Sequence, residues 1–421
     1  MHVTIRAHKV IGAISIPASK SYSQRALVAA LLHNGTSIIK NIGTSNDEKT
    51  VLEIIQQLGA QITKSGNEYH IISNGELKPS STISCNESGL ATRLISPILA
   101  LSSQEYCICA SGSLQHRKML YLNEFFDAIG VQFTSQNEQL PFKIKGPIQV
   151  GNRLTITRVD SSQILSGLLF ALSALNRTQA IVLEVQQDIP SFPYIAMSID
   201  VLAHFGKKIN IFTKQQFEIA PSTPLIKSTI EYTVEADWSS AAYWIAAACI
   251  QGAIQLKGLN PNSLQADKKM LEIAQQIGAT IYWQQDVLMI ESNLLKCFES
   301  NLEHCPDLFP ILAILAACCE GKSTLYGTHR LSNKESARAD EISKLLHLLK
   351  VPHLLENNSL EIWGLPHFPN IQYNCPNDHR MAMAAALCSL RTDGAIEIMN
   401  AECVDKSYPE FWQHLQAYCT E

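Results

Sequence analysis

The sequence has no excess of charge of either sign and no long hydrophobic run. It contains 33 Lys and Arg residues against 38 Asp and Glu residues, which gives a formal net charge of −5. Nucleic-acid binding along a chain calls for a basic surface, so this balance gives it no support. The longest apolar run, Leu308–Cys319, is too short to cross a bilayer and predicts a buried helix. We therefore expect no nucleic-acid partner and no membrane partner.

The 12 cysteines lack the spacing of a metal site, because no Cys-x-x-Cys pair occurs. The N-terminal segment Met1–Ile16 also lacks the apolar run of a secretory signal and alternates like a strand. Free thiols in a reducing cytoplasm are the favoured interpretation, and a structural zinc site is a remote alternative. No P-loop is present. We expect a cytoplasmic protein that works as a monomer, with no metal, nucleotide or organic cofactor.

A chain of 421 residues with 46% hydrophobic residues is long for one core, so two or more domains are expected. Helix-like segments end in a glycine that precedes a strand-like run, at Gly59, Gly130, Gly206 and Gly278. These glycines are nearly evenly spaced along the chain, and Lys350 follows after one more interval of the same length. A sixth copy reaches the chain end without its strand, which the N-terminal strand-like runs could supply. Such spacing predicts six related α/β units.

A second repeat runs in phase with the first and consists of small-residue apolar helices, each headed by a polar cluster. The six anchors recur at nearly the same interval as the glycines, at Arg25, Arg93, Gln163, Ser240, Leu308 and Arg380. Ser, Asp, Asn and Gly at these starts are explained by helix capping, which includes Asp307 as the cap of the helix that follows it. Capping does not explain the basic side chains. They favour an anion site at the positive ends of the helices.

Several motifs occur together and in order along almost the whole chain. They are SKSYSQRAL (19–27), DSSQ (160–163), SFPYI (191–195), HCPD (304–307), NKESAR (333–338), NDHRMAMA (377–384) and KSYPEF (406–411). With these motifs the sequence resembles the enolpyruvyl transferase family. The resemblance implies an α/β fold of two similar domains, each of three repeated α/β units with buried parallel helices, an inside-out α/β barrel. It implies an active site in the cleft between a discontinuous domain, 1–15 plus 235–421, and an inserted domain, 16–234.

Among these transferases the motifs point to the members that transfer the enolpyruvyl group of phosphoenolpyruvate to the 5-hydroxyl of shikimate 3-phosphate and release phosphate, in aromatic amino-acid biosynthesis. The resemblance assigns proton transfer to Asp307, Glu335 and Lys20. It assigns shikimate 3-phosphate binding to Lys20, Ser21, Arg25, Ser161, Ser162, Gln163, Ser191, Asp307 and Lys334. It assigns phosphoenolpyruvate binding to Lys20, Gly89, Arg117, Gln163, Arg338, Arg380 and Lys406. Arginine suits these ligands because its planar fork grips carboxylate and phosphate through two hydrogen bonds.

Two departures from the family pattern and two alternatives stay open. Asn86-Glu87 and Leu90 stand where many members carry an amide and a hydroxyl, and Arg330 stands where some members place an asparagine. Glu335 and Arg338 alone would fit an ordinary surface ion pair at i and i+3 of a helix. The alternative functions are a UDP-N-acetylglucosamine enolpyruvyl transferase and a non-catalytic paralogue that binds phosphorylated acids. The first calls for a cysteine five positions before Arg117, where this chain has Gly112.

Overall fold

Strands and helices alternate through residues 1–222 and 228–420, which are the residues described by a computed structural model. Contacts divide the chain into two units. One unit combines Met1–Pro17 with Glu235–Glu421, and the other is Ala18–Val234, inserted into the first. The boundaries expected from sequence fall after residues 15 and 234, so only the first of them differs, and by a small shift.

The described residues form twelve α-helices and six short 3₁₀ helices. The α-helices are α1 (Lys20–Leu32), α2 (Asn46–Gln57), α3 (Gly89–Leu99), α4 (Leu122–Ala128), α5 (Ser162–Ala174), α6 (Pro193–His204), α7 (Trp238–Ile250), α8 (Met270–Gln276), α9 (Phe309–Ala317), α10 (Arg338–Leu348), α11 (His379–Leu387) and α12 (Phe411–Tyr418). The 3₁₀ helices are Gly112–His116, Ala266–Lys269, Pro306–Leu308, Thr328–Leu331, Cys388–Arg391 and Ala401–Lys406.

The strands of the inserted unit are β3 (Asn34–Lys40), β4 (Gln61–Ser65), β5 (Glu68–Asn74), β6 (Thr82–Ser84), β7 (Glu105–Cys109), β8 (Gln132–Gln136), β9 (Gln139–Lys145), β10 (Arg153–Ile156), β11 (Ile181–Val185), β12 (Ile209–Thr213), β13 (Gln216–Ile219) and β14 (Ser228–Thr233). Those of the other unit are β1 (His2–Ile5), β2 (Lys9–Ser15), β15 (Gly252–Lys257), β16 (Thr280–Gln284), β17 (Val287–Glu291), β18 (Glu299–Asn301), β19 (Lys322–Tyr326), β20 (His353–Glu356), β21 (Ser359–Trp363), β22 (Ile371–Asn374), β23 (Ile396–Met399) and β24 (Cys419–Thr420).

These strands form six sheets, three in each unit. Their strand orders are β14-β3-β5-β4, β6-β7-β9-β8, β10-β11-β13-β12, β16-β17-β15-β2-β24, β18-β19-β21-β20 and β1-β23-β22. Each sheet contains one parallel pair, and the remaining neighbours are antiparallel. A parallel pair needs a crossover connection, so six parallel pairs match the six α/β units expected from the spacing. The mixed α/β fold class is therefore confirmed.

The turn after each outer helix adopts the left-handed conformation that the repeat predicts. Gly59, Gly130, Gly206 and Gly278 have φ angles of +117°, +68°, +75° and +98°, and Lys350 has φ +58°. In the sixth copy, α12 leads into the short strand β24, which pairs with β2. The final copy therefore does have a strand, although the sequence pattern did not indicate one.

The six small-residue segments form α1, α3, α5, α7, α9 and α11, and every residue of α9 is buried. In one unit α7, α9 and α11 contact one another; in the other α3 contacts α5. Side chains of Ser19, Ser88, Ser161, Asp237 and Asp378 cap five of these helices.

The expected cap at Asp307 is wrong. Leu308 is the residue that precedes α9, and neither it nor the 3₁₀ turn Pro306–Leu308 has a side-chain cap. The carboxylate of Asp307 accepts from cationic side chains instead. Ionic hydrogen bonds are stronger than a bond to a neutral backbone N–H, so they decide where this side chain points.

The fifth repeat offers a test of the left-handed turn. Replacing Lys350 by Gly removes the steric cost of φ +58°, so Lys350→Gly is expected to raise the free energy of unfolding by up to about 1 kcal/mol. Gly206→Ala is the reverse change, and a Cβ there meets no atom within 4 Å, so its expected loss of about 1 kcal/mol reports backbone strain alone. Urea unfolding followed by circular dichroism measures both. Equal stability of Lys350→Gly and the parent chain would contradict this account.

Candidate active site

Asp307 lies at the centre of a cluster of cations in the unit that carries both chain ends. Its Oδ1 accepts from Arg338 Nη1 at 2.9 Å and from Lys334 Nζ at 3.3 Å, and its Oδ2 accepts from Arg380 Nη2 at 3.0 Å. The carboxylate stands on the 3₁₀ turn before α9, and the two arginines stand in the first turns of α10 and α11. The side chain of Asp307 is 22% exposed, so it is held from one side and open on another.

The charges of this cluster change the acidity of its members. Burial alone would raise the pKa of Asp307, but Arg380, Lys334 and Arg338 together hold that pKa well below its ordinary value. Burial lowers the pKa of Lys334, although the carboxylate of Asp307 opposes this. At neutral pH, Asp307 is therefore a carboxylate that can accept a proton, and Lys334 is a cation that releases one more readily than usual.

Arg338 ties the cluster together and is fully buried. Its Nε donates to Asp378 Oδ2 at 2.9 Å, and its Nη2 donates to Asp378 Oδ1 at 3.2 Å and to Glu335 Oε2 at 2.6 Å. Burial lowers the pKa of this guanidinium, but Asp378, Glu335 and Asp307 outweigh burial and raise it. The reading of Glu335 and Arg338 as a surface pair is therefore wrong, because Arg338 is inaccessible and Glu335 is only 17% exposed.

Two further candidates belong to the same unit. Lys406 is 7% exposed and ends the 3₁₀ helix Ala401–Lys406, which packs on α11. Arg330 stands on the 3₁₀ helix Thr328–Leu331, where its Nε lies 3.7 Å from Glu303 Oε1. Its charge contributes to the lowered pKa of Lys334. Arg330 therefore adds positive potential near Lys334.

In the inserted unit, two candidate cations lie on α1. Lys20 Nζ is 3.0 Å from Asp47 Oδ2, and both side chains are largely buried. Arg25 is fully buried; its Nε donates to Ser198 Oγ at 2.8 Å, its Nη1 to Ser21 O at 2.8 Å and its Nη2 to Tyr194 O at 3.2 Å. Burial lowers the pKa of Arg25 to about 10. Its described hydrogen-bond partners are neutral, which leaves its charge available to an anion.

The starts of α3 and α5 bring a second group of candidates together. A Cβ on Gly89 would lie 3.2 Å from Arg93 Nη1 and 3.5 Å from Arg117 Nη1, so the glycine leaves room beside two guanidinium groups. Arg93 Nη1 donates to Gln163 Oε1 at 3.3 Å. The first turn of α5 adds hydroxyl groups, because Ser161 caps the helix and Ser162 begins it. This group can hold an anion through two arginines and the N–H groups of helix starts.

Ser191 and the altered segment 86–90 complete the candidates of this unit. Ser191 has φ +54° and is 6% exposed, just before α6. An added Cβ on Gly112 would overlap the carboxylate of Glu87, so these two residues pack closely. Leu90 is 7% exposed and belongs to the apolar core of the unit. The departure at Leu90 is therefore accommodated by packing within the inserted unit.

Four residues to which the sequence assigned no role support the predicted site residues: Asp378, Asp47, Ser198 and Arg93. Asp378 holds Arg338, Asp47 holds Lys20, Ser198 holds Arg25 and Arg93 lies beside Gly89. Arg93 and Asp378 had a sequence signal, since Arg93 occupies the same repeat position as Arg25 and Arg380, and Asp378 belongs to the NDHR motif. Asp47 and Ser198 act from distant positions in the sequence, which no local pattern reports.

Two further classes of feature do not occur among the described residues. No group of three or more His, Cys, Asp or Glu side chains is placed to hold a metal ion in residues 1–222 and 228–420. In the same described part of the chain, no helix is long and apolar enough to cross a membrane.

Removing Asp378 tests whether the buried pair supports this cluster. Asp378→Ala leaves the guanidinium of Arg338 buried without its main partner, so the free energy of unfolding is expected to fall by about 3–5 kcal/mol. Glu341→Gln is the matched control. Glu341 lies on α10, the helix that begins at Arg338, and pairs with the exposed Lys344 on the next turn of that helix. The free energy of unfolding is expected to fall far less in this variant, because an exposed ion pair contributes little. Similar losses in the two variants, measured by urea unfolding, would mean that the buried pair has no special role.

Known proteins resemble this chain over nearly its whole length. The family model described as EPSP synthase (3-phosphoshikimate 1-carboxyvinyltransferase) matches residues 5–415. A curated relative named 3-phosphoshikimate 1-carboxyvinyltransferase from Clostridium kluyveri is 30% identical, and the match covers 99% of this chain and 97% of the relative. A relative of the same name from Clostridium acetobutylicum is 32% identical, covering 96% and 94%.

Solved structures share the fold. An EPSP synthase from Acinetobacter baumannii superposes with a TM-score of 0.82 at 23% identity, over 99% of this chain and 98% of that one. The enolpyruvyl transferase NikO from Streptomyces tendae gives a TM-score of 0.75 at 15% identity, over 99% and 96%. With the family model and the relatives covering nearly its whole length, the chain belongs to the EPSP synthase family.

Proposed function

We propose that this protein transfers the enolpyruvyl group of phosphoenolpyruvate to the 5-hydroxyl of shikimate 3-phosphate and releases phosphate. The observation that carries the proposal is the carboxylate of Asp307, which accepts from Lys334, Arg338 and Arg380 in one cluster. A proton acceptor surrounded by cations suits a reaction that removes a proton beside two anionic substrates. Family membership supplies the identity of those substrates.

Shikimate 3-phosphate carries a carboxylate and a phosphate, and the proposed contacts match these groups. Arg25 and Ser21 hold its carboxylate side, and Arg25 suits this role because its described partners are neutral. Hydroxyl groups hold the phosphate, together with the side chain of Gln163. They belong to Ser161, Ser162 and Ser191. Lys334 and Asp307 act at the hydroxyl that reacts.

Phosphoenolpyruvate carries more negative charge for its size, and the proposed contacts are mostly cationic. Arg117 and Gln163 act in the inserted unit, where Gly89 lets a ligand approach the backbone. In the other unit the contacts come from Arg380 and Lys406. Arg338, which the sequence also assigned to this ligand, is fully buried and donates to Asp307, so its proposed part is to hold that carboxylate. Lys20 serves both substrates, and its ion pair with Asp47 holds the ammonium group at the start of α1.

The proposed chemistry is an addition followed by an elimination. Asp307 accepts the proton of the attacking 5-hydroxyl as its oxygen bonds to C2 of phosphoenolpyruvate, and Glu335 delivers a proton to C3. In the second step C3 returns a proton to Glu335, the double bond reforms, the C2–O bond to phosphate breaks, and the departing phosphate takes the proton from Asp307. Lys20 and Lys334 stabilise the negative charge that develops. No external oxidant or cofactor is needed, because the protons removed and added balance.

Substrate binding would make Asp307 a better base. In the protein alone, three cations hold its pKa well below the ordinary value. A phosphate or carboxylate bound by Arg380 shares its charge and raises the proton affinity of Asp307. The base is therefore strongest when the substrates are in place. We further propose that the enzyme works as a monomer in the cytoplasm, where its 12 free cysteines would stay reduced.

Phosphate release from phosphoenolpyruvate tests the proposed reaction. Release is expected with shikimate 3-phosphate and not with UDP-N-acetylglucosamine. Asp307→Asn keeps the size of the side chain but removes the base, so kcat is expected to fall about 100-fold or more. Asp393→Asn is the matched control, because Asp393 lies in the same unit with a 94% exposed side chain. Release with neither acceptor, with both ligands still bound, would identify a binding-only paralogue and refute the proposal.

The proposed contact of Arg117 has its own test. Arg117→Ala removes a guanidinium beside Gly89, and a charged hydrogen bond is worth about 1.5–3 kcal/mol, so KM for phosphoenolpyruvate is expected to rise about 10-fold or more. KM for shikimate 3-phosphate is expected to change little. Arg153→Ala is the control, since Arg153 is an exposed arginine on β10 of the same unit. An unchanged KM for phosphoenolpyruvate would remove Arg117 from the site.

A further inference from the structure

Asp267 is a third buried carboxyl in the unit that contains Asp307 and Asp378. It stands on the 3₁₀ helix Ala266–Lys269 and is 1% exposed. Ser239, in the first turn of α7, donates its hydroxyl to Oδ2. Oδ1 is buried and has no hydrogen-bond partner among residues 1–222 and 228–420.

The three carboxyls differ in how many cationic side chains donate hydrogen bonds to them. Asp307 accepts from three cationic side chains, and Asp378 forms two hydrogen bonds with Arg338. The described contacts of Asp267 include only the neutral hydroxyl of Ser239. A charged carboxylate buried without a cation or a full set of donors is strongly unfavourable. Asp267 is therefore expected to hold its proton where Asp307 has lost its own.

The groups around Asp267 act in both directions, and burial is the largest influence on its pKa. The elements packed against Asp267 place five polar or titratable groups near it: Asp237 and Ser239 at the start of α7, Cys305 and Asp307 before α9, and Arg380 on α11. The segment that carries Asp267 itself adds Lys268, Lys269 and Glu272. The two lysines are engaged elsewhere, with the carbonyls of Pro261 and Asn301. Burial raises the pKa of Asp267 to about 7, the charges of Asp307 and Asp237 add to this, and Arg380 and Ser239 oppose it.

We propose that Asp267 is a positioning residue of the active site, an uncharged acid that holds Ser239 and leaves the positive charge of Arg380 for Asp307 and the anionic substrate. This inference rests on the proposed function, in which Arg380 binds phosphoenolpyruvate. When Asp267 loses its proton, a second negative charge acts on Arg380. The attraction of that guanidinium for phosphoenolpyruvate then weakens, because charges within the same cluster act through a medium of low dielectric constant.

The expected signature is a rise in KM for phosphoenolpyruvate as the pH passes through about 7. In the parent enzyme KM is expected to rise about fivefold or more between about pH 6 and pH 8.5. Asp267→Asn keeps an uncharged side chain of the same size, so its KM should rise clearly less over the same range. Ionisation of the substrate and of Lys334 acts on both enzymes, so the ratio of their KM values isolates Asp267.

Thermal unfolding supplies a second readout that does not need turnover. The folded-state pKa of Asp267 is raised, so the stability of the protonated form is fully present below the ordinary pKa of 3.8 and is lost as the pH rises through about 7. Asp267→Asn is free of this loss. Its melting temperature relative to the parent should therefore increase from pH 5 to pH 8.5. Asp286→Asn, at an exposed aspartate of the same unit, should show no such trend.

Ser239→Ala is the second variant and predicts a shift in a defined direction. The hydroxyl of Ser239 stabilises the charged form of Asp267, so its removal should move the rise in KM to higher pH. A parallel KM profile in the parent and Asp267→Asn, with a constant difference in melting temperature, would overturn the proposal. If no phosphate is released with shikimate 3-phosphate at any pH, the proposed function fails, while the melting profiles still decide the charge state of Asp267.

Discussion

The unit that carries both chain ends depends on one buried ion pair, between Arg338 and Asp378. Two fully buried, oppositely charged groups satisfy each other with two hydrogen bonds, and neither could remain charged there alone. Asp378 also caps α11 by accepting from the backbone N–H of Arg380. The same carboxylate therefore fixes the start of a helix, the guanidinium of Arg338 and the backbone of Arg380. Through these two arginines it also fixes where Asp307 is held.

The buried arginine of the inserted unit, Arg25, has partners of a different kind. Arg25 is as inaccessible as Arg338, but a serine hydroxyl and two backbone carbonyls hold it. Its geometry is fixed while its charge is left largely uncompensated, and burial accordingly lowers its pKa whereas the carboxylates raise that of Arg338. Carboxylates thus neutralise the charge of one arginine, and only neutral groups hold the other. The physical difference lies in the partners and not in the arginines.

The repeats of the fold could be predicted from sequence because their signals are local. A left-handed residue after a helix and a small-residue apolar helix recur at regular intervals, and the positive φ angles at Gly59 and Lys350 follow from that pattern. The candidate cations could be predicted from motifs. The pairing of these cations could not, since Asp47 and Asp378 are distant in sequence from the cations they hold. Asp307 shows the same limit, because a local rule made it a helix cap and distant cations determined its actual role.

Three aspartates in one unit show why residue type alone does not give charge state. Arginine side chains reach both Asp307 and Asp378, and burial dominates at Asp267 because its described hydrogen-bond partner is a hydroxyl. The arginines of α10 and α11 thus donate hydrogen bonds to two of the carboxyls and not to the third. A third charged carboxylate would compete for the positive charge of the same arginines. The arrangement of neutral and charged acids is therefore part of how this unit keeps its positive charge available.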